Sequence, residues 1–164
     1  MPTPPKIRLT DTPGDPEIRA LARLIRQFNE SAGNRPTEHH PLAILVSNLE
    51  TGEILGGLFG WTSYAILHID LFYLPEAMRG SGLGTRIIQQ AEEEAIRRGC
   101  HTSWLDTFSF QAPGFYQRLG YTVFGTIEGY APGHSRYFLK KTLTTRSAKP
   151  QPAESEPPMT KDTA

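Results

Sequence analysis

Apolar and polar residues along positions 6–143 follow the two periods of regular secondary structure. Strands are predicted where residues alternate or are continuously apolar, at 6–10, 42–49, 54–61, 65–74, 101–107, 121–127 and 136–143. Helices are predicted from Pro16 to just before Gly33, over 83–97 and over 111–119, where apolar residues recur every three or four positions. The order β α β β β α β α β β predicts a single mixed α/β domain.

The fourth predicted strand, residues 65–74, is almost continuously apolar, which is expected of a strand buried on both faces at the centre of a sheet. His68 and Asp70 interrupt it. Because they are two residues apart, they are expected to share one face of the strand. Polar groups at such positions need hydrogen-bond partners or a chemical role.

Glycines alternate with other residues between this strand and the next helix, at Gly80, Gly82 and Gly84. Backbone N–H groups of such a loop can turn toward an anion, and the helix dipole adds to the attraction. A P-loop requires Lys and then Ser or Thr after the last glycine, and a dinucleotide-binding loop requires glycine at position 85, so neither motif fits. The alternative interpretation is a tight turn that only starts a helix.

The chain has 164 residues with 17 basic and 17 acidic side chains, so no broad positive field favours nucleic acid or an anionic membrane. A single cysteine, Cys100, excludes an internal disulfide and is expected to be a small buried apolar residue. No histidine and cysteine set has the spacing of a zinc site. Without a membrane-length apolar stretch or a secretory leader, a cytoplasmic location is expected.

Nine of the 14 prolines lie in residues 1–16 or 147–164. We therefore expect a flexible N-terminus at 1–5, a folded domain at 6–146 and a disordered tail at 147–164. The acidic run before Arg97 and Arg98 is expected to form ordinary helix-surface pairs, Glu93 with Arg97 and Glu94 with Arg98.

The glycine loop resembles the signature of the GCN5-related N-acetyltransferase (GNAT) superfamily, Arg/Gln-x-x-Gly-x-Gly/Ala, which Arg79-Gly80-Ser81-Gly82-Leu83-Gly84 matches. The resemblance implies a GNAT fold, with a mostly antiparallel twisted sheet that is splayed at the fourth strand and flanked by helices. It implies acetyl-coenzyme A as co-substrate and no metal. The N–H groups from Arg79 to Thr85 are then expected to bind the pyrophosphate. Tyr73 and Leu74, beside a bulge at the end of the strand, are expected to contact the pantetheine arm.

A second stretch, QAPGFYQRLGY at 111–121, resembles the family's later motif through Ala112, Tyr116 and Gly120-Tyr121. The resemblance implies that Tyr116 lies near the sulfur as the candidate general acid. Ser109 stands where the family often has asparagine and is the corresponding candidate for a coenzyme contact. His68 or Asp70 is the candidate base, and a mechanism in which only water takes the proton stays open.

The acceptor is expected on the opposite side of the sheet, against an aromatic-rich set of residues. The substrate-binding candidates are Glu38, His39, Trp61, Tyr64 and Phe108, with Tyr130 and His134 in the last hairpin. Few carboxylates among many aromatics favour an arylalkylamine or another small amine. The same aromatics could instead form a homodimer interface.

These observations predict an acetyl-coenzyme A-dependent N-acetyltransferase that transfers the acetyl group to a primary amine of a small molecule by direct attack in a ternary complex. The alternatives are an acyl-coenzyme A-binding sensor without turnover and a protein acetyltransferase acting on an N-terminus or lysine. The sequence leaves the identity of the acceptor and the oligomeric state open.

Overall fold

The computed structural model describes residues 4–32 and 39–144, which belong to two units, one ending at His39 and one beginning at His40. The first unit contains helix α1, Asp15–Ser31. Pro16 lies in its first turn, and the Glu17 carboxylate accepts a hydrogen bond from the Gly14 N–H at 2.8 Å. The predicted helix is confirmed, with Gly14 rather than Asp15 at the capping position.

The predicted strand at residues 6–10 is wrong, because the structure has no regular element there. Ile7 and Leu9 are 95% and 99% exposed. Two alternating apolar residues bury too little surface to hold a strand without a hydrogen-bonded neighbour. The predicted tail at 147–164 and most of the predicted flexible N-terminus lie outside the described residues.

The second unit is built on a six-stranded sheet in the order β1-β2-β3-β4-β6-β5. The strands are β1 His40–Ser47, β2 Ile54–Ser63, β3 Ile66–Tyr73, β4 Thr102–Phe108, β5 Thr122–Ala131 and β6 His134–Thr142. A 3₁₀ turn, Glu76–Met78, precedes helix α2, Leu83–Arg97, and helix α3 is Pro113–Arg118. Neighbouring strands are antiparallel except β3 and β4, which are parallel. The predicted mixed α/β class and mostly antiparallel sheet are confirmed.

The hydrophobic core lies between α2 and one face of the sheet. The buried side chains of α2 include Ile87, Ile88, Ala91 and Ala95, and those of the strands include Leu58, Leu67, Ile69, Leu105 and Leu139. Burial of each Leu or Ile side chain contributes about 1.5–3 kcal/mol. Since successive strand residues point to opposite faces, the residues between them lie on the other face, which is called the acceptor face below.

The acidic run on α2 is only partly a surface feature. Glu94 accepts hydrogen bonds from both Arg97 and Arg98, so Arg97 pairs with Glu94 and not with Glu93 as predicted. Glu92 is buried, and its Oε2 accepts a hydrogen bond from Lys141 Nζ of β6 at 2.6 Å. The acidic run therefore also ties α2 to the sheet, through Glu92 and Lys141.

Cys100 is buried as predicted, and burial raises the pKa of its thiol.

Candidate active site

The glycine loop enters α2 with a backbone that only glycine adopts easily. Gly80 and Gly82 have φ of +76° and +80°, and Gly82 is the residue that precedes the first helical turn. A Cβ at either position would meet no heavy atom within 4 Å, so open space lies beside the loop. The first N–H groups of a helix have no partner within it. The loop and the α2 N-terminus can therefore bind an anion such as a phosphate.

Gly84 has a different reason to be glycine. A Cβ there would lie 3.3 Å from the ring of Phe115 in α3 and 3.5 Å from the Leu74 side chain. The absence of a side chain lets α2 pack closely against α3 and the end of β3.

Side chains of the loop hydrogen-bond to the residue after β3 and to the 3₁₀ turn. Arg79 Nε donates to the backbone oxygen of Leu74 at 2.9 Å, and Ser81 Oγ donates to the backbone oxygen of Met78 at 3.0 Å. Leu74 is buried and the neighbouring Tyr73 is 60% exposed. The Arg79 side chain therefore links two of the candidate coenzyme residues, one at the end of the strand and one in the loop.

The parallel strands β3 and β4 separate partway along their length. They pair only from Ile66 with Thr102 to Ile69 with Leu105, although β3 continues to Tyr73 and β4 to Phe108. On its other side β3 stays paired with β2 as far as Tyr73. The predicted splay is therefore present, and it opens a gap in the middle of the sheet.

A β-bulge lies at the start of this gap. Gly60 of β2 pairs with Ile69 and Phe59 pairs with Leu71, which leaves Asp70 as the extra residue. The bulge was expected near Leu74, at the end of the strand, and lies four residues earlier. An extra residue shifts the alternation, so the expectation that Asp70 shares a face with His68 does not carry across it.

His68 lies on the acceptor face between two tryptophans of the neighbouring strands. Its ring centroid is 4.0 Å from that of Trp61 and 3.9 Å from that of Trp104. His68 is buried, with 7% of its surface exposed. Neither ring nitrogen has a hydrogen-bond partner within the described residues. Such a buried polar group is unusual unless a ligand or water completes it.

Burial lowers the pKa of His68, and the charges of Asp70 and Asp106 partly oppose that effect. Loss of hydration disfavours the charged imidazolium. The imidazole is therefore neutral at neutral pH and able to accept a proton.

Asp106 and Arg136 are site residues that the sequence did not identify. Arg136 Nε of β6 donates to Asp106 Oδ2 of β4 at 2.7 Å, and the guanidinium also bonds the Tyr130 hydroxyl at 3.0 Å. A signal for Asp106 was available, because it alternates with Trp104 along the strand predicted at 101–107, as His68 and Asp70 alternate along theirs. Arg136 gave no comparable signal, since its partner lies on another strand.

Tyr116 of α3 lies on the α2 side of the gap. Its ring is buried against Phe72, Phe115 and Tyr121, with centroids 5.1–6.5 Å away. Burial, and to a smaller extent the charge of Asp106, raises the pKa of Tyr116 to about 12. The phenol is therefore protonated at neutral pH and can donate a proton.

The predicted acceptor residues are dispersed. Trp61 and Phe108 lie on the acceptor face, against His68 and Tyr130 respectively. Tyr64 is 55% exposed in the β2–β3 turn, where its φ of 49° is uncommon for a residue with a side chain. His39 belongs to the first unit, and Glu38 lies outside the described residues.

Ser109, a predicted coenzyme contact, has hydrogen-bond partners within the protein. Its hydroxyl accepts a hydrogen bond from the Ser135 N–H at 3.2 Å and lies 3.3 Å from His134 Nδ1. The bonds fasten the segment after β4 to the start of β6. A coenzyme contact through this hydroxyl stays a prediction.

The class of protein that combines this splayed sheet with a glycine loop at the start of α2 is shown by comparison with known proteins to be an acyltransferase. The model of the acetyltransferase (GNAT) family matches residues 9–121, so the chain belongs to that family. Its sequence is 37% identical to blasticidin-S acetyltransferase from Streptomyces morookaense, over 85% of this chain and 97% of that one.

Two solved structures extend the comparison. An acetyltransferase from Bacillus cereus is 33% identical with a TM-score of 0.71, over 83% of this chain and 98% of that one. An aminoglycoside 6'-N-acetyltransferase complexed with coenzyme A shares the fold at 15% identity, with a TM-score of 0.56 over 82% of this chain and 84% of that one. Members of the family use acetyl-coenzyme A as co-substrate.

No helix among the described residues combines the length and apolarity that a membrane crossing requires. In the same part of the chain, His, Cys, Asp and Glu side chains form no group of three that could hold a metal ion. Independence from metal stays a prediction.

Proposed function

We propose that the protein transfers the acetyl group of acetyl-coenzyme A to a primary amine of a small molecule, by direct attack in a ternary complex. The observation that carries this proposal is the gap between β3 and β4, with the glycine loop at one end, His68 on one face and Tyr116 on the other. The relative named for acetylation of blasticidin-S supports a small-molecule acceptor.

The glycine loop fits the coenzyme. Open space beside Gly80 and Gly82 leaves room for a pyrophosphate against the N–H groups of Leu83, Gly84 and Thr85. Backbone groups of β3 beyond Ile69 are not paired with β4, so the strand end at Tyr73 and Leu74 can bind the pantetheine arm as an added strand would bind. When bound, the thioester supplies an acetyl group activated for attack by an amine.

The side chains at the gap provide the proton transfers. The neutral His68 ring, with both nitrogens unpartnered among the described residues, accepts the proton that the attacking amine must lose. Asp70, whose charge acts on this ring, is the second candidate for the same role. The protonated Tyr116 donates to the leaving thiolate. An N–H group near Leu74 polarises the thioester carbonyl.

The test is an amine panel scored by release of free thiol from acetyl-coenzyme A. The expected result is thiol release that depends on a small primary amine, together with coenzyme binding measured by calorimetry. Coenzyme binding without amine-dependent release would identify a sensor. Release with peptide amines alone would identify a protein acetyltransferase.

We also propose a cytoplasmic location, on the sequence grounds alone, and a homodimer through the β5 edge of the sheet. Val123, Phe124 and Ile127 of this edge strand are 41–53% exposed, and exposed apolar side chains on a sheet edge favour association. Size-exclusion chromatography with light scattering should give twice the mass of one chain. A single-chain mass at micromolar concentration would contradict the dimer.

A further inference from the structure

Asp106 stands at the point where the sheet opens. Leu105 is the last residue of β4 that pairs with β3, so Asp106 is the first residue beyond the paired segment. Along β4 it lies on the acceptor face between Trp104, which packs on His68, and Phe108. Its carboxylate is therefore next to the gap and next to the candidate base.

Arg136 hydrogen-bonds to one of the two oxygens of this carboxylate, Oδ2. The guanidinium lies over the rings of Phe108, Tyr130 and Phe138, at 5.4, 5.1 and 5.8 Å from their centroids, and bonds the Tyr130 hydroxyl. The Asp106 and Arg136 side chains are only 21% and 28% exposed. Within the described residues, the hydrogen bond to this carboxylate is made at Oδ2. Oδ1 keeps its capacity to accept another donor.

An aromatic platform, consisting of Phe108, Phe110 and Tyr130, adjoins the ion pair. Phe108 and Phe110 are stacked at 5.1 Å with an angle of 11° between rings, and Tyr130 lies 5.2 Å from Phe108. Phe110 and Tyr130 are 59% and 51% exposed. Clustered exposed aromatics of this kind are typical of surfaces that bind planar apolar groups.

We propose that Asp106 and the aromatic platform form the acceptor site, in which Asp106 Oδ1 binds the amino group and the platform binds a planar ring close to it. Arg136 is a positioning residue that fixes the carboxylate. The substrate class is a primary amine joined to an aromatic or heteroaromatic ring. The position of Asp106 on β4 supports this placement, because it lies on the same face as Trp104, two residues earlier, which packs on His68. The inference rests on the proposed function.

The first test concerns the amino group. Asp106→Asn should raise the KM for the amine about tenfold to a hundredfold, the range expected for a lost hydrogen bond to a charged group, with the Kd for acetyl-coenzyme A unchanged. Glu50→Gln removes the same charge from an exposed position in the β1–β2 turn and should leave both constants unchanged. The double variant Asp106→Asn/Arg136→Gln removes both charges of the pair and should keep the high KM. Recovery of the wild-type KM in that variant would mean that Asp106 only neutralises Arg136, which would overturn the proposal.

The second test concerns the ring. 2-Phenylethylamine and 2-cyclohexylethylamine have the same carbon skeleton, but only the first has a planar ring. The wild type should prefer the planar amine in kcat/KM by about threefold or more, as expected for ring stacking. Phe110→Leu keeps an apolar side chain and should abolish the preference. Equal rates in the wild type, or a preference that survives Phe110→Leu, would overturn the platform.

The two proposals fail in different ways. If no amine of the panel releases thiol while acetyl-coenzyme A still binds, the proposed function is wrong and the acceptor site falls with it. If aliphatic amines react but Asp106→Asn and the planar ring change nothing, the acceptor site alone is overturned.

Discussion

Tyr116 and Tyr121 are both buried phenols on the α2 side of the sheet, but their hydroxyl groups have different surroundings. The Tyr121 hydroxyl is hydrogen-bonded to Ser103 Oγ at 2.8 Å, and burial raises its pKa. The Tyr116 phenol is instead influenced by Asp106 at the gap. Tyr121 therefore has a structural partner, and Tyr116 is the proposed general acid.

This contrast gives a matched pair of variants. Tyr116→Phe should lower kcat roughly 10²-fold or more, the usual contribution of a general acid, and leave the Kd for acetyl-coenzyme A unchanged. Tyr121→Phe should keep kcat but reduce folding stability by about 1–3 kcal/mol, because Ser103 loses its buried partner. Turnover and thermal unfolding measured on both proteins check this. Wild-type kcat in Tyr116→Phe would remove the phenol from the mechanism.

Candidate site residues could be predicted from the sequence where they belong to a motif or interrupt the pattern of a strand. Tyr116 and the loop glycines belong to motifs, and His68 interrupts an apolar strand. Asp106 also alternates with an aromatic residue along a predicted strand, but no motif marks it. Arg136 could not be found, since its contacts with Asp106 and three rings arise from strand pairing.

At the scale of elements, the loop between β3 and α2 combines two glycines of positive φ with open space on their Cβ side. Gly52, in the β1–β2 turn, has the same properties, with a φ of +73° and no heavy atom within 4 Å of a Cβ position. The two sites differ only in what lies next to them, a helix N-terminus in one case and a hairpin turn in the other.

Gly82→Glu should abolish thermal stabilisation by acetyl-coenzyme A, because it places a carboxylate where the pyrophosphate would bind. The matched variant Gly52→Glu carries the same backbone strain, about 1–2 kcal/mol, and should keep the full ligand-induced shift. Melting curves with and without saturating coenzyme measure this. An equal shift in both variants would contradict phosphate binding at the loop.

Most strands and helices could be predicted because their apolar periods are long, and the structure places α2, β3 and β4 within a residue or two of the predicted ranges. The strand predicted at 6–10 is wrong, because a short alternation of apolar residues carries no information about a pairing partner. The position of the bulge, at Asp70 and not near Leu74, could not be predicted either. It depends on the register between β2 and β3, which no single strand contains.

For the whole molecule, the buried His68 links folding to pH. Its ordinary pKa of 6.5 applies to the unfolded chain, and burial lowers the pKa in the folded protein. At pH values between the pKa of the folded state and 6.5, the unfolded chain binds more protons than the folded protein. The stabilising contribution is therefore complete above pH 6.5 and is lost as the pH falls through the pKa of the folded state.

His68→Phe keeps a flat ring between the two tryptophans but cannot be protonated. Its melting temperature should fall less than that of the wild type between pH 7.5 and about pH 5, as measured without ligand. Replacement of the exposed His101 by Gln controls for the loss of an imidazole elsewhere. Identical pH dependence in the wild type and His68→Phe would contradict the assignment.

The early separation of β3 and β4 gives the sheet an internal edge. Beyond Ile69 and Leu105, the backbone groups of β3 and β4 that face each other have no strand partner among the described residues, and we expect water to hydrate them when no ligand is bound. Amide protons of residues 70–74 that point toward β4 should therefore exchange with deuterium faster than those of residues 66–69. Acetyl-coenzyme A should slow that exchange at least tenfold by acting as the missing strand, and unchanged exchange on binding would contradict this role.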